Sequence, residues 1–105
     1  ADTFRCTAAS ITLSVYDNGE IDGDSVSVYV NDAPLVQHRL ITTNPVTINL
    51  PVEKGKRYII SLFAENLGRI PPNTALLKIE AGNTTKELRL SSTLDTNAAV
   101  IIDVQ

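Results

Sequence analysis

Apolar and polar residues alternate with a period of two along most of this chain. Ile11, Leu13 and Val15 interleave with Thr12, Ser14 and Tyr16, and Val26, Val28 and Val30 with Ser27 and Tyr29. Successive side chains of a strand point to opposite faces, so each segment predicts a strand with one buried face. Residues 35–42 read as a third strand after the turn residues Asn31-Asp32-Ala33-Pro34. Val46, Ile48 and Leu50 alternate with Thr47 and Asn49 after the Asn44-Pro45 break and give a fourth. The segment 58–64, Tyr-Ile-Ile-Ser-Leu-Phe-Ala, is apolar on both faces and reads as a central strand. Segments 74–80, 87–90 and 99–104 bring the expectation to about eight.

No stretch carries a sustained 3.6-residue apolar period. β-Branched residues dominate the strand runs and suit a pleated, half-buried surface. Turn signals recur roughly every 8–12 residues, the spacing of a sandwich. The expected fold is all-β: a two-layer antiparallel sandwich, Ig-like or jelly-roll-like, over 1–105 with 1–9 as a flexible lead-in. Val15, Val28, Ile48, Phe63, Leu77, Leu90 and Ile102 are the expected single core. No Trp and no cysteine pair is present, which excludes an antibody-type domain.

Length and charge narrow the partners. At 105 residues the chain is one domain, large enough for a core without disulfide staples. A net charge of −3 and the absence of a basic block argue against nucleic acid. No apolar run approaches the roughly 20 residues of a membrane helix, so no membrane insertion is expected. Cys6 is alone and reads as a small buried residue. Residues 1–5 do not read as the end of a signal peptide; the chain is taken to begin after a removed targeting segment or inside a longer protein.

The candidate chemistry concentrates in Tyr16-Asp17-Asn18-Gly19-Glu20-Ile21-Asp22-Gly23-Asp24-Ser25, which holds four of the twelve carboxylates. Such crowding calls for a cation, backbone N–H groups or basic side chains. Counted from Asn18, an EF-hand pattern is met by Asn18, Glu20, Asp22 and Gly23 but fails at its twelfth position, Tyr29. The favoured reading is a hairpin connection in which Asp17 accepts loop N–H groups and Asp22 or Asp24 pairs with an arginine such as Arg69. The alternative is a non-EF calcium site with Asp17, Asp22 and Asp24 as metal ligands. His38, the one histidine, reads as outward and solvated in its strand. No nucleophile elbow, zinc set or phosphate loop is present, and the chain reads as no enzyme.

Two long motifs carry a resemblance. The run from Tyr16 through Val28 and Ala64-Glu65-Asn66-Leu67-Gly68-Arg69-Ile70-Pro71-Pro72-Asn73-Thr74-Ala75-Leu76-Leu77, with the later Leu88-Arg89-Leu90-Ser91-Ser92, resemble a family of small extracytoplasmic β-domains from Bacteroidota-type bacteria. The resemblance implies a periplasmic, cell-surface or secreted module, often attached to other exported domains, and no reaction. Two functions follow as expectations: a non-catalytic structural or interaction module with a protein or glycan partner of the cell envelope, or a carbohydrate-binding module. In the second, Tyr16 and Tyr29 would form the ligand platform and calcium would serve structure.

Overall fold

A computed structural model describes residues 2–17, 25–66, 74–91 and 97–105. These form nine strands: β1 (Asp2–Cys6), β2 (Ser10–Asp17), β3 (Ser25–Val30), β4 (Ala33–Leu40), β5 (Val46–Pro51), β6 (Arg57–Asn66), β7 (Thr74–Ala81), β8 (Thr84–Ser91) and β9 (Asn97–Val104). Two sheets pack into a sandwich, one in the order β1-β9-β6-β3-β4 and the other β5-β2-β7-β8. Every pairing is antiparallel except β1 with β9, which is parallel. Among the described residues no helix is long and apolar enough to cross a membrane.

The period-two pattern accounts for the two faces. On β2, Ile11, Leu13, Val15 and Asp17 point inward, while Ser10, Thr12, Ser14 and Tyr16 point out. Val26, Val28, Ile60, Leu62, Leu77, Ile79, Leu90, Val100 and Ile102 meet them in one buried cluster, which Ile41 and Val52 close from the connections. Val15, Val28, Leu77, Leu90 and Ile102 take the expected core positions, and Ile48 packs against the cluster partly buried.

Two expectations are corrected. The lead-in is not loose up to Cys6: β1 lies in register along β9, from Asp2 opposite Val100 to Cys6 opposite Val104. Cys6 is buried, and burial pushes its thiol pKa up. Phe63 is not a core residue. It stands 37% exposed on the outer face of the five-stranded sheet. The inward positions of β6 are Tyr58, Ile60, Leu62 and Ala64, so register sends Phe63 outward with Arg57, Ile59, Ser61 and Glu65.

Candidate site on the outer face of the five-stranded sheet

Local turn chemistry builds the site. Asn31 and Asp32 connect β3 to β4 with φ of 50° and 69°, the left-handed values a two-residue I′ hairpin loop requires. Asn31 fastens this turn to β6: its backbone N–H donates to the Ile59 carbonyl at 2.9 Å, and its Oδ1 accepts from the Ile59 N–H at 2.8 Å. Asp32 is thereby held at the rim of the outer face. One step along β3, Tyr29 lies opposite Ser61 of β6. Phe63 is two residues further along β6, within diagonal reach of an aromatic side chain. The two rings meet edge to face, centroids 5.4 Å apart and planes at 83°. Tyr29, Asp32, Ser61, Phe63 and Glu65 together line a shallow depression of about 230 Å³.

A backbone irregularity in β4 sets what meets Glu65. The β3–β4 register shifts between Val26, opposite Arg39, and Val28, opposite Val36. Gln37 and His38 therefore face the single residue Ser27, as in a bulge that re-aims a side chain. His38 takes φ of 47°, unusual for a residue other than glycine. Its N–H donates to Ser27 Oγ at 3.0 Å. The bulge turns the exposed imidazole across β3, where Nδ1 lies 3.2 Å from Glu65 Oε2. The Glu65 side chain is only 26% exposed, so this contact fixes a carboxylate already largely covered. The expected outward His38 is thus exposed and anchored at once.

On the Arg57 side of the Asn31 turn, whose amide donates to the Arg57 carbonyl at 3.4 Å, the sheet carries a closed ion pair. Arg57 and Asp103 are opposite in register and form a two-pronged pair, Nε to Oδ1 at 2.7 Å and Nη2 to Oδ2 at 3.3 Å. The hydrogen bond from Arg57 outweighs desolvation and holds the Asp103 carboxyl below the usual carboxylate range. Ile59, bonded to Asn31, lies 43% exposed opposite Ile101.

The residues singled out in the sequence are dispersed. Tyr29 belongs to this site. Tyr16 lies on β2, on the outer face of the four-stranded sheet, so the two tyrosines do not share a platform. Asp17 is buried at the end of β2, and its backbone N–H donates to the Thr42 carbonyl at 2.9 Å. Asp22 and Asp24 lie outside the described residues. Among the described residues no three His, Cys, Asp or Glu side chains group as metal ligands. Sequence reasoning singles out none of Phe63, Ser61, Asp32 and Glu65 as site residues. A signal existed in β6, where polar Arg57, Ser61 and Glu65 share the parity of Phe63 and mark that side as the outside. No protein-family model, curated protein or solved structure matches this chain.

Proposed function

We propose that this domain is a non-catalytic interaction module of an exported or cell-envelope protein, binding its partner through the outer face of the five-stranded sheet. The observation that carries the reading is the edge-to-face pair of half-buried Tyr29 and exposed Phe63, beside Asp32, Ser61 and Glu65 in one depression. Aromatic side chains left on a surface at some cost in solvation, next to anchored polar groups, are a common composition of recognition sites. The extracytoplasmic setting rests on the resemblance of the Tyr16–Val28 and Ala64–Leu77 motifs. A photo-crosslinking residue placed at Ser61 and, as a control, at Thr12 on the outer face of the other sheet tests the reading in the producing cell. Adducts from position 61 and none from position 12 are expected. Equal yields from both, or none from 61, would contradict it.

The carbohydrate-binding reading survives in altered form. The relevant rings are Tyr29 and Phe63 rather than Tyr16 and Tyr29, since only the former pair lies on one face with a hydroxyl and two carboxylates beside it. A glycan array that stays blank for the native domain, with calcium present, would remove it.

A further inference from the structure

We infer that the depression between Tyr29 and Phe63 receives an arginine side chain of a partner protein. This rests on the reading of that sheet face as the interaction surface, and it names what the face grips. Size is the first argument. At about 230 Å³ the depression falls below the several hundred Å³ usual for small-molecule sites and suits the end of one side chain. Charge is the second. Both ionisable groups beside the rings other than the Tyr29 hydroxyl are carboxylates, Asp32 and Glu65. Among the described residues no basic side chain stands within ion-pair distance of Asp32, while Glu65 has His38 on one oxygen. The sheet's own guanidinium, Arg57, is near the Asn31-Asp32 turn but is tied to Asp103.

The shape of the ligand follows from these groups. A ring face attracts a cation, and a guanidinium is the cation that stacks flat on a ring while forking its N–H donors to carboxylates. A neutral sugar would find acceptors in the two carboxylates but few donors for its own oxygens, since Ser61 and Tyr29 carry the only hydroxyls in the lining. Exposed Ile59, two residues before Ser61 on the same face, offers apolar footing for the protein surface around that arginine. The chain's net charge of −3 favours approach of a basic partner.

The test is a titration of the isotope-labelled domain, followed by amide chemical shifts. Three probes are compared: Nα-acetyl-arginine amide, its neutral citrulline analogue and methyl glycosides. The arginine probe is expected to move the amides of Tyr29, Asp32, Ser61 and Phe63, with an effect that recedes as salt rises; citrulline is expected to leave them in place. Asp32→Asn and Glu65→Gln together should weaken arginine binding at least about tenfold, since each removes a charge-assisted partner. Asn accepts the left-handed backbone at position 32, and Gln keeps an acceptor for His38, so the spectrum of the rest of the domain should stay native. Equal shifts from citrulline, unweakened binding by the double variant, or no response to arginine would overturn the inference. Shifts at the same amides from a glycoside alone would overturn it while leaving the face intact as the binding surface. Arginine shifts confined to the outer face of the four-stranded sheet would overturn both.

Discussion

Phe63 stands 37% exposed on the outer face of β6, with the Tyr29 ring set against it edge to face. A run apolar on both faces identifies a strand but leaves its inward side to register, and a one-residue change of phase exchanges Leu62 for Phe63. The even positions from Tyr58 to Ala64 are largely apolar and the odd ones include Arg57, Ser61 and Glu65, so the phase was legible in the run itself. Its consequence is measurable by chemical denaturation. Leu62→Ala should cost about 2–5 kcal/mol, as a fully buried leucine does. Phe63→Ala should cost less than that, because it leaves no closed cavity; it loses the aromatic pair, about 0.5–1.5 kcal/mol, and the covered part of the ring. Asp17 is the second decisive residue, because its carboxylate points to the core side of β2. Asp17→Ala is predicted to cost about 1–3 kcal/mol, as loss of a buried acceptor does, and a calcium chelator is predicted to leave the native melting temperature unchanged. A chelator-dependent melt that Asp22→Asn abolishes would assign the acidic run to calcium, with about 2.7 kcal/mol of stabilisation at a hundredfold excess over Kd.

At the scale of elements, eight of the nine strands follow from alternation and turn residues, because the forces that set them are local. β1 was not legible as a strand in the same way. Its pattern, Phe4 and Cys6 inward with Arg5 outward, is short, and its partner β9 lies at the opposite end of the sequence. A parallel pairing leaves no hairpin turn to announce it. The chain ends also lock together there: the Gln105 N–H donates to the Cys6 carbonyl at 2.8 Å, and Gly55 and Val104 hold the β5–β6 turn against β9. Cys6 makes β1 its own reporter. Burial and the raised thiol pKa predict slow reaction with a maleimide in the native protein and fast reaction in urea. Labelling well before global unfolding would show β1 detaching as a separate unit; fast labelling without denaturant would contradict the pairing. The β4 bulge was equally hidden, since nothing in Val36-Gln37-His38-Arg39 demands a left-handed histidine. It is the bulge that brings His38 to Glu65 across β3.

For the whole molecule, the outer face of the five-stranded sheet carries a neutralised Arg57–Asp103 pair beside the Asn31-Asp32 turn, and a depression that runs from that turn along β6 to Glu65. The pair has a pH signature. Asp103 is held below its ordinary pKa in the folded state, so its contribution is complete above that ordinary value and fades as pH falls through the folded one. Asp103→Asn should therefore narrow the stability difference from the native protein as pH drops from about 6 to about 3, and salt should shrink it because the pair is exposed. The acidic depression was only half legible: Tyr29 was visible as an outward aromatic, but its companions come from β6 and the hairpin turn, and only pairing in space unites them. The most direct measurement uses the two phenylalanines, Phe4 packed against the core and Phe63 on the open face. With fluorophenylalanine incorporated, fluorine spectra should show two resonances, of which only that lost in Phe63→Leu moves with arginine amide and broadens strongly with a soluble paramagnetic agent. A Phe63 resonance that is shielded from the agent and unmoved by arginine amide would contradict the account.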